Sequence, residues 1–232
     1  MKKQNISHWL IAAGILALGI ALSLLILLRP FQTDPAVPVY RVTFYDREGQ
    51  MLQTEEVKQG SGAVCNPPHL PGHRFLAWDQ EVYTVMEDLE VHPLYQPVEE
   101  KKNVVYADSV YACGTDRFCL TPYLGGQVDC SRFTMEIAYD SQLLSYDGME
   151  RARRGLSVED DSERGVLTLT FTADAPIKET TILAELYFVC RQDGAYSTNF
   201  PITTRAIYTP KDGEEVYTDS IAYEARLYLV NC

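Results

Sequence analysis

Apolar and polar residues alternate with period two along most of this chain. In FTMEIAY (residues 133–139), Phe133, Met135, Ile137 and Tyr139 fall at every second position, with Thr134, Glu136 and Ala138 between them. GVLTLTFT (165–172) repeats the arrangement: Leu167, Leu169 and Phe171 on one side, Val166, Thr168 and Thr170 on the other. Such alternation predicts strands with one buried and one open face. VVYADSVYA, RFCLTPYL, ILAELYFVC, FPITTRAIY and AYEARLYLV are further strand candidates. The turns GTD, GGQ, YDG, DAP, QDG and KDG separate them, and no helical period is sustained. Many short strands at this spacing predict a sandwich or jelly roll.

Ahead of this region, YRVTFYD alternates too, with Val42 and Phe44 on one face and Thr43 and Tyr45 on the other. DREG then reads as a turn and MLQTEEV as a returning strand, a hairpin signal. GSG and NPPHLPG break the chain, and HRFLAWD and LEVHPLY follow as short β-rich segments. These about 57 residues are few for an independent core. Phe75 and Trp78 are its expected anchors, since aromatic rings supply much of a small domain's burial. PVEEKKN, at 97–103, is a charged join between this module and the sandwich.

Residues 9–28 (WLIAAGILALGIALSLLILL) run for twenty positions without a charge. That is the length a helix needs to cross a bilayer. No small-x-small cleavage site follows, so the segment reads as an uncleaved signal anchor. Lys2 and Lys3 place the short tail 1–8 in the cytoplasm, and everything after the span outside. Residues 29–39, with three prolines in PFQTDPAVP, read as an extended stalk.

Charge narrows the partners. The net charge is −12. The first 29 residues hold Lys2, Lys3 and Arg29 and no acid, so the remainder carries −15, the −12 total less +3. Phosphate binding needs clustered Lys and Arg, so nucleic acid is not an expected partner. The histidines are at 8, 69, 73 and 92, and none lies in the larger domain. A Ser-His-Asp or Cys-His site within that domain is excluded. GxGxxG, GxxxxGK[ST] and GxSxG are absent, and no cofactor is expected. His69 and His73 flank a Pro-Gly turn without a third ligand, and no metal is expected there. EDDSERG (159–165) lacks the spacing of a calcium loop and reads as a solvated turn. Glu136, Asp140 and Asp147 crowd one stretch and invite a glycosidase reading. The period points Glu136 outward and puts the two Asp residues in turns, where nothing sequesters them enough to raise an acid's pKa. The expectation is no enzyme.

Two stretches resemble known families. VTFYD at Val42 to Asp46, Gly49, Gly60, Ala63, Pro68, then Gly72, Phe75 and Trp78 as G-x-x-F-x-x-W, and Asp88, Leu89 and Val91 as D-L-x-V, resemble the internalin B-repeat. The resemblance covers residues 40–97. It implies a small β-grasp-like module of the kind that serves Gram-positive surface proteins as spacer or adhesive unit. A single copy implies no array.

The second resemblance covers residues 104–232. A Y-D-x-x-x-L element follows an alternating strand (Tyr139, Asp140, Leu143, Leu144), and Leu183, Ala184, Leu186, Phe188 and Val189 form a strand of L-A-x-L-x-F type. This pattern is similar to cohesin domains, nine-strand jelly rolls that bind dockerin modules. The resemblance implies an all-β fold: a nine-strand cohesin-like jelly-roll β-sandwich plus the β-grasp-like module, with one N-terminal transmembrane helix. It also implies a non-enzymatic, cell-surface protein whose sandwich attaches a dockerin-bearing partner. The partner-facing sheet would include Thr134, Glu136, Ala138, Val166, Thr168 and Thr170. RARRGLSVEDDSERG departs from the pattern by placing charge where a strand is expected. Related jelly rolls bind polysaccharide, which is the alternative function. That reading needs Tyr187, Tyr208, Tyr217, Tyr223 and Tyr228 to form one platform.

Six cysteines stand at 65, 113, 119, 130, 190 and 232, with no CxxC among them. An exported even set permits disulfides, and buried reduced thiols are the other reading. In cohesins the first and last strands of the jelly roll lie side by side and parallel. That closure makes Cys113 and Cys232 neighbours, and leaves Cys119 or Cys190 to partner Cys130.

Overall fold

A computed structural model describes residues 36–114, 116–126, 130–191, 196–211 and 214–232. The expected span 9–28 and the tail 1–8 lie outside these residues. Among the described residues no helix is long and apolar enough to cross a membrane.

β1 (Val39–Tyr45) follows its alternation, burying Val42 and Phe44 completely. Asp46 closes the next turn by accepting the Gln50 N–H on Oδ1 at 2.7 Å. β2 (Met51–Lys58) then returns antiparallel as the hairpin signal predicts. β3 (His73–Trp78), β4 (Leu89–Val91) and β5 (Pro93–Pro97) complete the module. LEVHPLY is thus two strands, not one, and it divides beside Pro93, which has no N–H to continue a ladder. β4 runs parallel to β1 in the sheet order β2-β1-β4, and β3 pairs antiparallel with β5.

The sandwich follows in chain order. Its strands are β6 (Asn103–Ala107), β7 (Val110–Cys113), β8 (Arg117–Leu120), β9 (Pro122–Gly126), β10 (Cys130–Ala138), β11 (Leu144–Glu150) and β12 (Leu156–Asp161). β13 (Val166–Ile177), β14 (Thr181–Ile182), β15 (Glu185–Cys190), β16 (Tyr196–Phe200), β17 (Ile202–Lys211), β18 (Glu214–Thr218), β19 (Ser220–Ala222) and β20 (Ala225–Val230) complete it. The described residues therefore divide into more segments than nine long strands. Prolines at 122 and 201 interrupt ladders, and Asp108 and Ser109 turn the chain inside VVYADSVYA.

One layer is the five-stranded sheet β12-β13-β10-β17-β18. Against it pack β11-β15-β8 and β16-β20-β7, and β14-β9-β6-β19 adds Val105, Ala107 and Leu124 to the same core. The alternating residues meet between the layers. Phe133, Met135, Ile137, Leu167, Leu169 and Phe171 join Phe118, Leu120, Leu186, Phe188, Leu227 and Leu229 in one buried cluster. Burying such side chains contributes about 1.5–3 kcal/mol each, which makes this core the main source of stability.

β12 is a correction. The charged RARRGLSVEDDSERG contains a strand, with a turn at Arg154–Gly155 before it and another after Asp161. Leu156 and Val158 lean on the core while Glu159 faces water, and β12 pairs antiparallel with β13. Two apolar residues at alternate positions suffice to set the register when the partner strand is already fixed.

Residues 38–232 form one compact unit. The module completes its core with sandwich residues: Tyr111, Tyr228 and Val230 are buried in the same cluster as Val42, Phe44, Phe75, Trp78 and Val91. These three point away from the sandwich core because their neighbours Ala112, Leu227 and Leu229 point into it. Gly62 donates its N–H to the Asn231 carbonyl at 2.7 Å. A Cβ there would stand 2.6 Å from that of Val230, so glycine sets how closely the two parts meet. In the join, Val98 is buried and packs with Val104, Tyr106 and Tyr123.

Cys113 and Cys232 are joined by a disulfide, with Cα atoms 5.7 Å apart. β20 lies parallel to β7, with Val230 opposite Cys113. Cys65 and Cys119 are free thiols, so Cys119 is not the partner of Cys130. Cys130 and Cys190 are buried in the sandwich core.

Candidate partner-binding face

Register brings the six expected face residues together. Thr134 stands opposite Thr170, Glu136 opposite Thr168, and Ala138 opposite Val166. All six lie on the side of β10 and β13 turned away from the core; Thr170 is exposed and the others are half-buried. β12 extends the face with Ser157, Glu159 and Asp161, opposite Thr170, Thr168 and Val166. On the other flank Thr203 of β17 stands opposite Glu136 and is exposed. The result is a flat floor of small side chains around the central Glu136, with further acids along its β12 margin.

Sequence reasoning named Tyr208 and Tyr217 only as parts of a polysaccharide platform and missed that they form one corner of this sheet with Arg132. Arg132 stands opposite Tyr208, and Tyr208 opposite Tyr217. The Arg132 guanidinium lies 4.3 Å from the Tyr208 ring centre. The Tyr208 and Tyr217 rings meet edge to face at 6.3 Å. No local pattern marks these residues, because they are 76 and 9 positions apart in the chain and only the pairing unites them.

The three acids of the 133–148 stretch do not converge. Glu136 is on the five-stranded face. Asp140 shapes a turn: its Oδ1 accepts the Gln142 N–H at 2.9 Å, and its carbonyl accepts Leu143 and Leu144 N–H groups. Asp147 is not in a turn, as expected, but at an irregularity within β11 on the opposite sheet. There it pairs with Arg117 at 2.7 Å. Arg117 also lies 3.6 Å from the Tyr187 ring centre. No two of these carboxyls share a cleft in the manner of a glycosidase pair.

A cleft of about 480 Å³ opens at the module–sandwich junction, lined by His69, Asp108, Asp116, Arg117, Cys119 and Tyr123 among others. His69 Nδ1 is 2.7 Å from Asp108 Oδ2, and its ring stacks on Tyr123 at 4.0 Å. Burial pushes the Cys119 thiol above the ordinary range, with Thr121 Oγ1 at 3.6 Å opposing the shift. A thiol held protonated is a poor nucleophile at neutral pH. Among the described residues no group of three or more His, Cys, Asp or Glu side chains is placed to hold a metal.

The five tyrosines of the polysaccharide reading are dispersed. Tyr208 and Tyr217 are on the five-stranded sheet, and Tyr187 is on β15 under Arg117. Tyr228 is buried against Tyr111 at 4.5 Å, and Tyr223 lies under Arg74 at 4.9 Å. They form no common platform, which removes the feature that reading required.

No protein-family model and no curated protein matches this chain. Among solved structures, the seventh ScaB type I cohesin from Pseudobacteroides cellulosolvens superposes with a TM-score of 0.50 at 12% identity, over 56% of this chain and 94% of that one. The sandwich is cohesin-like in fold. A cohesin in the Coh-OlpC–Doc435 type I cohesin–dockerin complex from Clostridium thermocellum gives 0.48 at 12% identity, over 59% of this chain and 99% of that one. The non-cellulosomal cohesin of the archaeon Archaeoglobus fulgidus gives 0.44 at 12% identity, over 56% and 92%. In the cohesin-like sandwich, the module covers the outward residues of β7 and β20, and the outward face of β10 and β13 is left open.

Proposed function

We propose that this chain is a non-enzymatic attachment protein whose cohesin-like sandwich binds a partner protein through the open face of the five-stranded sheet. The observation that carries this reading is the face itself: Thr134, Ala138, Val166, Thr168 and Thr170 form a flat, small-residue floor around Glu136, in register, on a sheet whose other side is the core. Flat surfaces of this kind accept another protein, whereas small-molecule sites are concave. The occupant is a dockerin-type protein module, on the strength of the cohesin-like sequence pattern. Residues 9–28 anchor the chain in the membrane with its N-terminus cytoplasmic, and the internalin B-repeat-like module and the sandwich stand outside the cell.

Calorimetric titration of the protein against a panel of dockerin modules tests this. Binding is expected, and Thr168→Arg abolishes it while leaving the circular dichroism spectrum and melting temperature unchanged. No binding across the panel, or full binding by Thr168→Arg, defeats the reading.

A further inference from the structure

The open face is uneven in its chemistry. Its floor is small apart from Glu136 and its β12 margin acidic, with Glu159 and Asp161 facing out beside the exposed Glu163. Among the described residues of β18, Tyr217 is a large side chain exposed on this face, at 57%; Val216, the residue before it, points to the other side. Tyr217 stands next to Tyr208, which carries the Arg132 guanidinium on its ring. Arginine and tyrosine are enriched among the residues that dominate protein interfaces, tyrosine because it offers a large contact area with few rotors to freeze, arginine because its planar guanidinium both stacks and pairs with carboxylates. Stacking on Tyr208 already holds Arg132 in place, so less side-chain entropy is lost on contact. Four interstrand steps of about 4.8 Å separate β18 from β12, so Tyr217 lies about 19 Å across the sheet from the acidic margin, whereas Arg132 on β10 lies two steps, about 10 Å, from it.

Resting on the proposed binding role of this face, we infer that Arg132, Tyr208 and Tyr217 are its anchor. The partner seats an apolar side chain on Tyr217 with negative charge beside it facing Arg132. Its positive charge lies toward Glu159 and Asp161. A partner docked the other way round meets like charge at both ends, so the corner also fixes orientation. The remaining contacts over the Thr/Ala/Val floor supply fit and exclude water.

The same panel of dockerin modules provides the test, with Thr168→Arg as the reference for the face. Tyr217→Ala is expected to weaken binding about thirtyfold, the size of an interface hot spot. Tyr217→Phe keeps near-wild-type affinity. Arg132→Glu is expected to slow association and to reverse its salt dependence, and Glu159→Lys to slow it as well. If Thr168→Arg abolishes binding while Tyr217→Ala and Arg132→Glu stay within twofold of wild type, the anchor is wrong and the face stands. If Tyr217→Ala weakens binding and Thr168→Arg does not, the floor is wrong and the corner stands. If no module in the panel binds, both are overturned. Tyr217 is exposed, so its replacement leaves the fold intact, as circular dichroism will verify.

Discussion

Asp108 of the sandwich reaches across the junction to His69 of the module, with 2.7 Å between Oδ2 and Nδ1. The other carboxylate oxygen accepts the Phe75 N–H, also at 2.7 Å. Beside it, Ser109 donates its N–H to the Phe75 carbonyl at 3.0 Å. One side chain therefore ties two separate module segments to the corner between β6 and β7. Hydrogen bonds to a charged acceptor are worth more than neutral ones, and both groups here are largely shielded from water.

Replacing Asp108 by Ala is expected to destabilise the protein by about 2 kcal/mol, less than the sum of two charge-assisted bonds because the pair is not fully buried. Asp108→Asn keeps an acceptor for Phe75 and recovers part of the loss. Urea denaturation measures the change. Hydrogen exchange locates it: the Phe75 amide loses protection in the Ala variant and keeps it in the Asn variant.

The module on its own is expected not to fold. Its cluster uses Tyr111, Tyr228 and Val230 of the sandwich, and a 60-residue domain is marginal even with a complete core. A peptide spanning residues 36–98 gives a disordered far-UV spectrum, whereas the same residues within 36–232 are protected from proteolysis. A cooperative melt of the isolated peptide would refute this.

Tyr106 is one of several buried phenols whose ionisation weakens the fold at alkaline pH. Its side chain is fully buried, and the hydroxyl has no partner among the described residues. Burial, and then the nearby Asp108 charge, raise the phenol from 10.0 to about 12. The folded state thus holds this proton more tightly than the unfolded state does. Its contribution to stability is complete below pH 10 and is lost as the pH rises through about 12. Tyr106→Phe removes an unsatisfied buried hydroxyl and is expected to stabilise the protein by about 1 kcal/mol at neutral pH. It also moves the onset of alkaline unfolding upward. Paired titrations of tyrosinate absorbance and ellipticity read both effects.

The Cys113–Cys232 disulfide spans 119 residues. Closing so long a loop restricts the unfolded chain, and reduction is expected to cost about 4–5 kcal/mol on the chain-entropy account. The loss appears as a lower urea midpoint in the presence of a phosphine reductant, and the Cys113→Ser variant reproduces it. The Gly62 amide, whose acceptor is the carbonyl of Asn231, becomes the first module amide to exchange.

The sequence makes legible what a single strand can encode. Alternation at 133–139 and 166–171 identifies the core side and the open side, because one face of each strand is dry. The turn at Asp140 is also local, made by its own carboxylate and carbonyl. β12 escapes that reading because Leu156 and Val158 are only two signals among eight charged residues. The Asp108 clasp, the shared burial of Tyr111 and Tyr228, and the Arg132–Tyr208–Tyr217 corner depend on pairing between distant segments. No period or spacing announces them.

The place of β1 decides how the protein bears load. β1 is the first strand of the compact unit, and it is bonded on both sides, antiparallel to β2 and parallel to β4. A pull on the chain ahead of Val39 runs along the strand axis and loads both ladders in shear. Their hydrogen bonds must then break together rather than one after another. A molecule tethered through that end and gripped at its open face resists force at its weakest-looking part, the small module.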